Sequence, residues 1–224
     1  MPRDTLTKDQ IVRTAIALLD EEGLEGLNMR SLGKRLDTAA TAVYWHVKNK
    51  DDLVLLAGDG VWQEIELPDP DEADWRTAAT SLATGLYAML CRHPWLVQAF
   101  GSHLFYGEGK ARYDDRSLAV YEKGGFTGGR ADQAVAAVFT FVLGSVLEVS
   151  ATASLTRRLS RNGGDAEARF QKTLDKASEV AARFPRLRAR LDTPQATGYA
   201  AAPAETFRFG LHALLDGLQG ELAV

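Results

Sequence analysis

The stretch Asn28 to Lys50, NMRSLGKRLDTAATAVYWHVKNK, constrains the chain more than any other. Met29, Leu32 and Leu36 fall at near-helical spacing behind Asn28, a residue suited to capping a helix N-terminus. Val43 and Val47 recur four residues apart after Asp37, so the segment reads as two short helices joined by a tight turn. In soluble proteins this geometry chiefly serves to lay the second helix in the major groove of DNA. That helix is expected to start near Thr38 or Ala39, to bury Val43 and Val47, and to turn Tyr44, Trp45 and His46 towards a rim.

The flanking sequence supplies the rest of a small helical unit. Thr7-Lys8-Asp9-Gln10 has the spacing of a capping box, and Ile11, Ala15, Leu18 and Leu19 share one helical face. A helix is therefore expected from Lys8 to about Glu22, with Gly23 as its stop. Three such helices enclose a core of Leu18, Leu19, Leu27, Leu32, Leu36, Val43 and Val47. Asn49, with Asp51 and Asp52 behind it, starts a fourth helix that runs to about Ile65. Pro68 and Pro70 then break the chain within ELPDPDEAD. The expected layout is a helix-turn-helix unit over 1–50, a bridging helix over 51–66 and a larger helical unit over 67–224.

Beyond Asp74 the periodicity stays helical and no period-two run suggests a strand, so the fold class is all-α. Helices are expected over Trp75 to Arg92, from Pro94, over Lys110 to Lys123, from about Arg130 to Arg158, over Ala166 to Phe184 and from Ala204 to about Gly220. Asn162 to Asp165 reads as a loop, and Pro185 and the segment Asp192 to Pro203 as irregular and mobile. The helix near 130–158 is apolar on more than one face, and together with the last helix it has more apolar surface than one compact domain needs. Pairing of two copies through these helices is the expected outcome. No apolar run approaches the roughly 20 residues that span a bilayer, and MPRDTLTKDQ lacks the apolar core of a secretion signal. Cys91, the single cysteine, has no companion for a disulfide or a zinc site. A cytoplasmic protein without metal, cofactor or membrane partner is expected.

A net charge of -4 speaks against a nucleic-acid binder until the charge is located. Asn28 to Lys50 carries Arg30, Lys34, Arg35, Lys48 and Lys50 against Asp37 alone, a local balance of +4 on an otherwise acidic chain. Such a patch can hold phosphates at one face while the remaining surface is repelled by DNA.

At Tyr44-Trp45-His46-Val47-Lys48-Asn49-Lys50 the sequence resembles the tetracycline-repressor (TetR) family of bacterial transcription regulators. Ile11-Val12-x-x-Ala15-x-x-Leu18-Leu19, Gly23-Leu24-Glu25-Gly26-Leu27 and Arg30-Ser31-Leu32 fit the same family over about residues 7 to 65. Phe207-Arg208-Phe209-Gly210-Leu211 with Leu215-Asp216-Gly217-Leu218 looks like the last helix of many members. The resemblance implies an all-helical homodimer. In it, a helix-turn-helix domain binds palindromic operator DNA, and a small molecule in the C-terminal domain shifts the fourth helix and releases the operator. It further implies that Tyr44 and Lys50 hold phosphates with help from His46 and Lys48, and that Trp45 sits at the groove edge. Arg30 reaches in from the preceding helix, while Ala40, Thr41 and Ala42 lie nearest the base edges.

Two departures from the family pattern carry consequences. Most members have Gly where this chain has Asp37, so Asp37 is expected in an unusual backbone conformation. Ala39, Ala40 and Ala42 offer no hydrogen-bonding side chains, which leaves Thr38, Thr41 and Arg30 for direct reading and methyl contacts to thymine.

Ligand-pocket candidates are Trp62, His93, Phe100, His103, Phe139 and Glu148, the last because it interrupts an apolar helix and a buried carboxylate needs a partner. Each has a plainer reading: core aromatics, a helix-start histidine, a surface histidine, and an acid on an exposed face. Enzyme motifs are missing, since there is no Gly-rich phosphate loop, HExxH or nucleophile elbow, and His46, His93, His103 and His212 are scattered. A ligand-responsive repressor therefore leads. A DNA-binding regulator controlled by another signal comes second, and a helical enzyme or adaptor is a remote third.

Overall fold

The computed structural model describes residues 6–161, 165–191, 193 and 203–222. Among these residues there are twelve helices and no strand: α1 (Lys8–Gly26), α2 (Met29–Arg35), α3 (Ala40–Tyr44), α4 (Lys50–Trp62), α5 (Trp75–Arg92), α6 (Pro94–Ala99), α7 (Glu108–Lys123), α8 (Gly129–Ser145), α9 (Leu147–Arg161), α10 (Ala166–Ala181), α11 (Pro185–Leu191) and α12 (Pro203–Glu221). The all-α expectation holds.

The caps explain where the helices start. Thr7 and Gln10 form the expected capping box at α1, and Asn28, Asn49, Asp74 and Asp165 each accept a hydrogen bond from a first-turn backbone N–H. α1 does not end at Gly23. That residue takes φ 70° and ψ -176°, a kink, and helical backbone resumes to Gly26. A Cβ at Gly23 would stand 3.0 Å from Nε of Arg157, so both the left-handed φ and the approach of α9 favour glycine here.

Leu18, Leu19, Leu27, Leu32, Val43 and Val47 are buried as expected, whereas Leu36 is only half-buried. α4 packs on α1 along one side and on α7 along the other, so the bridging helix shares its apolar residues with both units.

One expectation fails in the middle of the chain. The long helix near 130–158 is broken at Val146 (φ -102°, ψ 0°) into α8 and α9. Gly144, which weakens a helix interior, stands next to the break, and the Ser145 hydroxyl there donates 2.8 Å to the Phe141 carbonyl. The break lets α9 turn towards α6, where the Ser150 hydroxyl donates 2.8 Å to the Pro94 carbonyl. A related correction concerns membranes. Gly129–Arg161 contains a window of mean hydropathy 2.0 that is long and apolar enough by composition to cross a bilayer, contrary to the sequence reading. Alanines, glycines and one-residue polar interruptions hide that run from inspection. Residues 162–164 and most of 192–203, expected as loop and irregular chain, lie outside the described residues, whereas Pro185, also expected to be irregular, starts helix α11.

Asp37 adopts φ 48°, and it is the only described non-glycine residue with positive φ. Its N–H donates to the Lys34 carbonyl and that of Thr38 to the Gly33 carbonyl (2.9 Å), the paired bonds of a Schellman turn with Asp37 at the left-handed position. Asp37→Gly is expected to stabilise the fold by about 0.5–1 kcal/mol, because glycine occupies this region without a Cβ penalty. Thermal unfolding checks this; an unchanged or lowered Tm would show that the aspartate is not strained.

Candidate functional site

The turn from α2 into α3 is what presents the side chains expected to face DNA. Gly33 makes it possible, since a Cβ there would lie 2.9 Å from the Thr38 carbonyl oxygen and 3.2 Å from the Ala40 nitrogen. Sequence reasoning passed over this glycine. α3 is short and has no side-chain cap at Ala39, but Val43 and Val47 anchor it in the core. Tyr44 and Trp45 are therefore forced outward, 54% and 87% exposed. Neither ring belongs to the core cluster. Arg30, Thr41, His46 and Lys48 are exposed beside them, Thr38 and Ala42 are half-buried, and Ala40 is half-buried against the core.

The basic patch is smaller than the sequence suggests. Arg35 pairs with Glu21 and Glu22 of α1, which raises its pKa through the Glu21 hydrogen bond. Lys50 donates 2.6 Å to the Leu24 carbonyl, so one of its ammonium N–H groups ties α4 to the end of α1. Arg30, Lys34 and Lys48 have no acid within ion-pair distance among the described residues. Each copy presents three such cations, so log affinity for DNA against log salt should fall with a slope of about -3 per copy bound. Fluorescence anisotropy across salt concentrations measures it, and a slope near zero would remove phosphate contacts from the account.

A polar cluster around buried His93 joins the two parts of the chain. His93 Nδ1 lies 2.7 Å from Asp20 of α1, and its Nε2 lies 3.1 Å from Glu64 just beyond α4. With a carboxylate at each ring nitrogen, both nitrogens must donate, which is the protonated imidazolium. Trp95 Nε1 donates 2.8 Å to the same Asp20 oxygen, and Arg92 pairs with Glu64 at 2.9 Å. Burial pulls the His93 pKa down, yet the hydrogen bonds and charges of Asp20 and Glu64 outweigh it and the net shift is upward. For Glu64, burial raises the pKa, while Arg92 and His93 reverse that and lower it.

A cavity of about 270 Å³ lies between α5, α7 and α8. Ala79, Leu82 and Ala83 of α5 form a low wall, Tyr113, Ser117 and Tyr121 of α7 face it, and Val135 and Phe139 of α8 close it. The Tyr121 hydroxyl is buried without a hydrogen-bond partner among the described residues, as is Trp62 Nε1. Burial pushes both the Tyr113 and Tyr121 phenols far up, so they remain protonated.

Only Phe139 of the six pocket candidates lines this cavity. Trp62 stands behind it, its ring 5.0 Å from Tyr113 and 6.3 Å from Phe139, and Phe100 packs edge-on to Phe139 at 5.9 Å. The other three lie elsewhere. His93 belongs to the carboxylate cluster, and His103 sits after α6 with its ring 2.9 Å from the Ser102 hydroxyl and 3.4 Å from Asp51. Glu148 is exposed on α9, since the break at Val146 turns it away from the apolar face of α8. Lys110, Tyr113, Ser117 and Tyr121 were missed, although their spacing along α7 places them on one helical face. A larger groove of about 490 Å³ between α1, α6 and α9 is lined by Glu22, Glu25, Arg157, Arg158 and Arg161, and its polar walls make it a poorer place for an organic ligand.

Comparison with known proteins places these features in a family. Residues 11–57 match the profile "Bacterial regulatory proteins, tetR family", and residues 67–222 match "Tetracyclin repressor-like, C-terminal domain". An HTH-type transcriptional regulator of Saccharopolyspora erythraea is 38% identical over 143 residues, covering 63% of this chain and 60% of that protein. The HTH-type transcriptional repressor DrrR1 of Streptomyces coeruleorubidus is 29% identical over 97% of this chain and 79% of its own length. Among solved structures, apo ActR of Streptomyces coelicolor superposes with a TM-score of 0.75 at 27% identity, covering 99% of this chain and 98% of that one. ActR in complex with actinorhodin gives 0.73 at 29% identity, with 96% of each chain covered. Matched along both its helix-turn-helix unit and its larger helical unit, the chain belongs to the TetR family of bacterial transcription regulators.

Proposed function

We propose that the chain is a homodimeric repressor whose outward-facing α3 rim grips a two-fold operator, and which a small molecule in the α5–α7–α8 cavity releases. The observation that carries this reading is the continuity from cavity to DNA-facing unit. Trp62 of α4 packs on the cavity aromatics, and two residues later Glu64 is held by His93, which also holds Asp20 of α1. A ligand that displaces Trp62 therefore bears on α4 and, through one imidazole, on α1. ActR, a relative with the same fold, is known bound to actinorhodin, which supports a small organic effector for this chain. A regulator of this kind works in the cytoplasm.

The dimer reading rests on α8 and α12, which pack together through stacked Phe141 and Phe207 rings at 6.0 Å. Their outer faces are small and open: among the described residues, nothing beyond the helix's own backbone and the adjacent residues lies within 4 Å of a Cβ built at Gly144, Gly217 or Gly220, and Phe209 is 80% exposed. Two copies pairing across this face form a four-helix bundle and cover Phe209.

Selection from random duplexes tests the proposal. The recovered site should be a pseudo-palindrome with half-sites separated by about one helical turn or somewhat more. Phe209→Arg should yield monomers by light scattering and lose the site; recovery of an asymmetric single motif, or full binding by the variant, would count against the dimeric reading.

A further inference from the structure

One charged group in the cavity is oddly placed. Lys110 stands in the first turn of α7, where the positive end of the helix dipole disfavours a cation. Its backbone N–H is already capped by Asp59 at 3.1 Å, and its side chain runs inward, only 21% exposed. The ammonium ends 2.5 Å from Asp114 Oδ2 and lies 5.5 Å and 5.6 Å from the ring centres of Trp62 and Phe139. Those are the contacts by which aromatic cages hold organic cations. The charged residues lining the cavity are Lys110, Asp114 and Asp132, so removal of the lysine head leaves two carboxylates and no base.

Resting on the assignment of this cavity as the effector site, we propose that it takes a flat aromatic cation, whose charged nitrogen replaces the Lys110 ammonium between Asp114 and the faces of Trp62 and Phe139. Lys110 is an internal stand-in for that nitrogen. The short side chains of Ala79, Ala83 and Ala136 leave a low-relief wall for a ring system. Tyr121 supplies the one unpartnered hydroxyl, which suits a heteroatom on the far side of the ring. An anion fits less well, because it must compete with Asp114 for Lys110 and it meets Asp132.

Three ring-matched probes separate these chemistries: 9-aminoacridine, a cation at neutral pH; acridine, uncharged; and acridine-9-carboxylate, an anion. Calorimetric titration of the full chain without DNA should give the affinity order cation, neutral, anion. Lys110→Met, which removes the competing ammonium, should tighten 9-aminoacridine by about tenfold, the scale of one desolvated cation–π contact. Asp114→Asn should weaken it by a similar factor. Preference for the carboxylate, with loss of its binding on Lys110→Met, overturns the proposal, as does failure of every probe to bind. Operator release is read separately, as the 9-aminoacridine-dependent release shown by wild type and lost in Asp114→Asn. Tight cation binding that leaves the operator bound upholds the cation chemistry and refutes the effector assignment. Release by the anion instead refutes the cation and keeps the effector assignment.

Discussion

Tyr44→Ala combined with Lys48→Ala is expected to lower operator affinity by about a thousandfold while leaving the fold intact. Both side chains are exposed, so their removal disturbs no core contact. Each is expected to hold one phosphate through a hydrogen bond worth about 1 kcal/mol, and a two-fold dimer makes every contact twice, for about 4 kcal/mol in all. Anisotropy titration against a selected duplex gives the ratio, and circular dichroism confirms the fold. A loss of less than tenfold would remove these residues from the interface. Lys50→Ala should behave differently: because Lys50 closes α4 onto the Leu24 carbonyl, its loss should lower thermal stability as well as affinity.

His93→Ala is expected to destabilise the chain by about 3 kcal/mol. The change opens a cavity and leaves Asp20 and Glu64 without their shared donor; the figure is held down because Glu64 is partly solvated. At this chain length that corresponds to a fall in Tm of about 8 °C. The pH dependence carries a sign. Because the His93 pKa is raised on folding, its stabilisation is complete below the ordinary histidine value of about 6.5 and is lost as pH rises through the folded value. Because the Glu64 pKa is lowered, its contribution is present above the ordinary carboxylate value and is lost as pH falls through its folded value. The gap in Tm between wild type and variant should therefore be widest in weakly acidic solution and narrow on both sides. A gap that is flat with pH would mean that a neutral imidazole holds the cluster.

Local chemistry made much of the fold legible. Capping residues at Thr7, Asn28, Asn49 and Asp165 mark helix starts because the first N–H groups of a helix need an acceptor supplied nearby in sequence. Asp37 could be assigned a left-handed backbone because the resemblance left an aspartate where a glycine is usual. The break at Val146 was hidden, since little in the local sequence except Gly144 marks it. The cavity was hidden for a different reason. Ala79, Tyr121 and Phe139 meet only after α5, α7 and α8 pack together, and no spacing within one helix records that meeting. Electrostatics misled most. Arg35 and Lys50 count towards a basic patch on paper, whereas in three dimensions Glu21, Glu22 and a carbonyl engage them, and Arg30, Lys34 and Lys48 are the outward cations.

Hydrogen exchange of the full chain, with and without a selected duplex, tests most directly that Asn28 to Lys50 is the DNA-binding face. Slowed exchange confined to residues 28–50, with the segment Thr38 to Lys48 slowed most and α5, α7 and α8 unchanged, is the predicted result. Protection centred on the Arg157, Arg158 and Arg161 groove, or no protection in 28–50 under conditions where the duplex is bound, would contradict it.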